Sequence, residues 1–128
     1  MKNILRRSTT VFLFLLVAGT AGSASVVREF SGTSSTTTAD FEVEAPWILD
    51  WRVNGDFPAM LGLQVTLINA KNGSHVGQVV KVSDRAADGV SLFNQGGRYR
   101  IRVDATLARW TIKIEEISKD EAKLYTPK

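Results

Sequence analysis

The sequence predicts an all-β fold, an antiparallel β-sandwich of about seven to eight short strands, jelly-roll or immunoglobulin-like in general form, behind an N-terminal signal peptide. Three observations carry this. Short segments alternate apolar and polar residues with a period of two, as in "DFEVE" (Asp40 to Glu44) and "RYRIRVD" (Arg98 to Asp104). Turn residues separate them, above all the Asn54-Gly55 and Asn72-Gly73 pairs. Pro46 interrupts the stretch around the first two tryptophans, where one helix would otherwise have room.

Residues 1–24 read as the signal peptide. Lys2, Arg6 and Arg7 form a basic start, Val11 to Ala18 is a short apolar run, and "GTAGSAS" follows with small residues at a cleavage point after Ala24. The apolar run is shorter than the roughly 18 to 20 residues that span a bilayer as a helix. The expected product is a periplasmic or secreted bacterial protein with no membrane span after cleavage. The chain holds 16 Lys and Arg against 13 Asp and Glu, and three of the bases lie in the signal, so the remainder balances at zero. A neutral chain has no field that steers it to nucleic acid or anionic lipid. With no cysteine in the sequence, disulfides play no part, and burial and hydrogen bonds must hold the fold.

In the expected domain, residues 25–117, "SGTSSTTTAD" (Ser31 to Asp40) reads as a loop leading into the "DFEVE" strand. "WILDWRV" (Trp47 to Val53) is the next strand, and "NGDFPA" is a turn whose Asn54-Gly55 can take positive φ. "LGLQVTLIN" and "HVGQVVKVS" flank Asn72-Gly73 as a hairpin. "DRAADG" (Asp84 to Gly89) reads as a polar loop or single helical turn, and "RYRIRVD" and "RWTIKIEEI" close the set. Residues 118–128 read as a polar C-terminal tail.

Two pairings follow from matching faces. Joining the last two strands around "ATLA" (Ala105 to Ala108) sets Val103 against Trp110, Ile101 against Ile112 and Tyr99 against Ile114, with Asp104 facing Arg109 and Arg98 facing Glu115. Folding "DFEVE" back on "WILDWRV" across Pro46 sets Val43 against Leu49 and Phe41 against Trp51. Trp47, Leu49, Trp51 and Val53 then share one apolar face, which places both tryptophans in the core.

Phe30-Gly32, Phe41-Val43, Trp47-Leu49-Trp51, Gly97-Tyr99-Ile101-Val103 and Trp110-Ile112-Ile114 together form a pattern that resembles a loose class of small exported bacterial β-sandwich proteins. More distantly it is similar to the jelly-roll modules appended to secreted peptidases. The resemblance implies two packed antiparallel sheets and transfers no activity, cofactor or site residue.

Chemistry is sparse. His75 is the only histidine, and it follows Ser74 on an extended segment, where adjacent side chains point apart and cannot form a catalytic hydrogen bond. One histidine and no cysteine make a poor zinc ligand set. In the expected register Asp40, Glu42, Glu44 and Asp50 share an outer face with Glu42 opposite Asp50, an arrangement that is either a weak calcium site or a face neutralised by arginine. Arg98, Arg100 and Arg102 form an outward row with guanidinium groups about 6 to 7 Å apart, the candidate partner-docking strip. The expected function is a non-enzymatic exported binding module with no cofactor and no catalytic or metal residue. Its expected partner is another envelope or extracellular protein. The alternatives are a periplasmic inhibitor or immunity protein, and a small secreted hydrolase or metal-dependent enzyme.

Overall fold

The alternating segments form strands where the sequence places them: β3 (Phe41–Val43), β4 (Trp47–Asn54), β5 (Gly62–Asn69), β6 (His75–Ser83), β8 (Gly97–Thr106) and β9 (Arg109–Glu116). The computed structural model describes residues 25–125 and adds β1 (Ser25–Gly32), the two-residue β2 (Thr36–Thr37) and β7 (Ala87–Phe93). Residues 1–24, where the sequence predicts a signal peptide, lie outside the described residues.

The strands make two antiparallel sheets packed face to face, the all-β sandwich that the sequence predicts. One sheet has four strands in the order β1-β9-β4-β7. The other has five: β2, β8, β5 and β6 in that order, with β3 also on β8. Between them, Phe41, Val43, Leu63, Val65, Leu67, Tyr99, Ile101 and Val103 of one sheet meet Trp47, Leu49, Val53, Trp110, Ile112 and Ile114 of the other. The described residues bury no polar or charged side chain, so desolvated apolar area holds the sheets together.

Neither face-matched pairing forms. β8 and β9 do not pair; β8 lies between β5 and the β2–β3 edge, and β9 between β1 and β4. Leu107, at φ 49°, turns the chain from one sheet to the other, so Val103 and Trp110 belong to opposite walls of the core. β3 likewise pairs with β8, not β4, with Phe41 opposite Tyr99 and Glu42 opposite Arg98. Trp51 instead lies opposite Ile112 on one side and Gly89 on the other. Asn72-Gly73 does close the β5–β6 hairpin: Gly73 has φ 75°, its N–H donates to the Asn69 carbonyl at 2.8 Å, and Asn72 Oδ1 accepts from the Ser74 N–H at 2.9 Å. Gly55, by contrast, has no positive φ. It is held by close approach, since a Cβ there would stand 2.4 Å from the Leu107 carbonyl oxygen.

The three tryptophans differ. Trp47 is fully buried, stacks on Phe93 with ring centroids 4.2 Å apart, and donates its indole N–H to the Gln95 carbonyl at 3.0 Å. Trp110 is buried and donates to the Ser34 carbonyl at 3.1 Å. Trp51 faces the core but is only partly buried, and its indole N–H has no acceptor among the described residues.

Three of the four sheet edges are irregular. β1 carries a bulge at Val27, β6 carries bulges at Val76 and Val79, and the β2–β3 edge is broken over Thr38, Ala39 and Asp40. β7 pairs with β4 through seven consecutive residues without interruption. After β9, Ser118 caps the short helix α1 (Lys119–Ala122), accepting from the Glu121 N–H while the Glu121 side chain accepts from the Ser118 N–H. This segment continues to Tyr125 and touches β7 on the outer face, beside Ile48 and Ile117, which are buried outside the main core.

Candidate functional site

β8 alternates buried Tyr99, Ile101 and Val103 with Arg98, Arg100 and Arg102, so packing of the first set forces the second outward. The three predicted strip residues are therefore brought together on the outer face of the five-stranded sheet. Their strand is central and rigidly paired. β5 on one side offers an uncharged row, with Thr66 opposite Arg102 and Ile68 opposite Arg100. On the other side stands the interrupted edge.

That interruption positions a residue the sequence reading did not connect to the strip. Between β2 and β3 the edge strand has one residue more than β8, and Thr38 spans the gap: its N–H donates to the Ile101 carbonyl at 2.9 Å and its hydroxyl accepts from the Ile101 N–H at 3.0 Å. The bulge aims Asp40 at the arginines. Arg100 Nε donates to Asp40 Oδ1 at 2.9 Å, and Arg98 Nε lies 3.5 Å from Asp40 Oδ2. The hydrogen bond from Arg100, reinforced by the charges of Arg100 and Arg98, holds the Asp40 carboxyl below its ordinary value of 3.8. Arg102 pairs with Asp104 at 3.5 Å on its own strand. Arg28 reaches over from the other sheet, its guanidinium 6.0 Å from the Phe30 ring centre and donating to the Asp40 carbonyl.

The three guanidinium groups ion-pair with two carboxylates, Asp40 and Asp104, and a third, Glu42, stands opposite Arg98 on the same face. The guanidinium-bearing side chains of Arg98 and Arg102 remain 51% and 53% exposed, while that of Arg100 is 35% exposed. The expected partners Glu115 and Arg109 are elsewhere: Glu115 lies opposite Val26 and Ile48, and Arg109 bonds Asp56 at 3.1 Å and Asn54 at 3.0 Å.

The carboxylate face does not form. Asp50 is on the outer face of the four-stranded sheet, in register with Lys113, while Asp40 and Glu42 are on the other sheet. The carboxylate of Glu116 accepts from the Glu44 N–H at 2.8 Å, which accounts for that end of the strand. Among the described residues no three His, Cys, Asp or Glu side chains converge as a metal site. His75 is exposed at the start of β6. No helix among the described residues is long and apolar enough to cross a membrane. No family model and no curated protein matches the chain.

Proposed function

We propose that the protein is a non-enzymatic, exported interaction module whose five-stranded face docks an acidic surface of another envelope or extracellular protein through Arg98, Arg100 and Arg102. The observation that carries this reading is the exposed row itself: Arg98, Arg100 and Arg102 stand on one face beside Asp40, Glu42 and Asp104, and two of the three arginine side chains stay half exposed on a strand fixed by its buried neighbours. Guanidinium groups held in a row suit bidentate contact with the carboxylates of an acidic partner. The lysines Lys71 and Lys81 of the neighbouring hairpin add further cations.

The test is capture of partners from the native envelope fraction by the wild-type protein and by the triple variant R98Q/R100Q/R102Q. The expected result is a partner whose binding weakens with salt and is lost in the variant, while the variant melts near the wild-type temperature. Binding by the variant equal to wild type would refute the assignment of the strip.

A further inference from the structure

We propose that β7 is a self-association edge: two copies of this chain pair β7 to β7, antiparallel, about a two-fold axis at Val90. The two four-stranded sheets then join into one continuous sheet.

A sheet edge left regular is a template for another strand, and bulges, interruptions or inward charges are the usual means of blunting it. Here β1 has its bulge at Val27 and the inward Arg28, β6 has two bulges, and the β2–β3 edge is broken at Asp40. β7 has none of these. Its seven residues, "ADGVSLF", run in unbroken register with β4 and include one charge, Asp88. No residue from Ala87 to Phe93 has a hydrogen-bond partner beyond β4 among the described residues.

The sequence of β7 is complementary to itself. An axis at Val90 pairs all seven residues, with Asp88 opposite Leu92, Ala87 opposite Phe93, and Val90, which is 43% exposed, opposite its own copy. No like charges meet. The same register sets Gly89 opposite Ser91 of the second copy, and both face inward. Trp51 lies over Gly89 so closely that its Nε1 would stand 3.0 Å from a Cβ there. The second copy's Ser91 hydroxyl therefore arrives beside the one indole N–H that has no acceptor among the described residues, and supplies it. Leu124, 80% exposed, and Tyr125, 39% exposed, sit on the segment that touches β7 and widen the apolar contact beyond the strands. A strand pair alone falls short of a standard interface of roughly 1,200 to 2,000 Å², so this flank matters. The β7 edge belongs to the other sheet from the arginine strip, so the two proposals stand or fall separately.

The absence of cysteine gives a site-specific test. In an antiparallel pair, facing Cα atoms lie about 4.5 or 5.5 Å apart, within reach of a disulfide. Produced from its full sequence, Val90→Cys should cross-link to a covalent dimer under mild oxidation. Val76→Cys, on the bulged β6 edge at 52% exposure, should remain largely monomeric. The wild type should sediment as a concentration-dependent dimer. Val90→Lys, which sets two ammonium groups on the axis, should raise the dissociation constant at least about tenfold while circular dichroism retains the native spectrum. A wild type that stays monomeric up to millimolar concentration, or cross-linking at residue 90 no faster than at residue 76, would overturn the proposal. If Val90→Lys fails to fold, the two cysteine variants still decide it.

Discussion

The indole of Trp110 lies against Gly32, its in-register neighbour on β1, so closely that a Cβ at residue 32 would stand 2.9 Å from the ring. The ring has no room to retreat, because it is buried and its N–H is fixed to the Ser34 carbonyl. Gly32→Ala should therefore destabilise the domain by about 1 to 3 kcal/mol, the usual cost of overpacking. Gly77→Ala, where the added methyl meets nothing within 4 Å, should be neutral or slightly stabilising. Denaturant melts of the two variants side by side give the answer.

Trp110→Ala removes the largest side chain on β9 and should cost about 3 to 5 kcal/mol, a large share of what a domain of this size has. Trp47→Ala should fall in the same range, because it loses the Phe93 stack and leaves the cavity at the other end of the core. A melting temperature within a few degrees of wild type for either would contradict their burial.

Asp40→Asn tests the bulge. The folded Asp40 carboxyl titrates below its ordinary 3.8, so its contribution to stability is complete above that pH and disappears as pH falls through the lowered folded value. The wild type should exceed the variant in stability at neutral pH, and the two curves should converge in strong acid. Parallel curves down to the lowest pH would place no ionised Asp40 beside the arginines.

Ser118→Ala removes half of the capping box at the start of α1. A lost cap costs about 1 kcal/mol locally. Faster hydrogen exchange over residues 119–125 is expected, with the sandwich melting unchanged.

What the sequence made legible was which face each residue occupies, not which strand lies beside it. The alternation of Tyr99, Ile101 and Val103 with the arginines marks inside and outside correctly. The matched faces of β8 and β9, however, arise from both strands alternating in phase, and such matching holds equally well across the core as across a ladder. β7 escaped notice because Asp88 and Gly89 look like a turn and because Val90 and Leu92 put apolar side chains on its outer face. The strip was visible because three arginines repeat at a spacing of two. Asp40 was not, because its place beside them depends on one extra residue in an edge strand 60 positions away in the chain from Arg100.

The pairing of β1 with β9 sets the order of events in biosynthesis. Among the described residues β1 has β9 as its only strand partner, and β4 also waits for β9 on one side. Until residue 116 has cleared the ribosome, the four-stranded wall lacks its second row, and the core side chains of the other sheet have little to close against. Closure of the four-stranded wall thus depends on strands far apart in sequence, and such distant pairing proceeds at a millisecond-to-second pace.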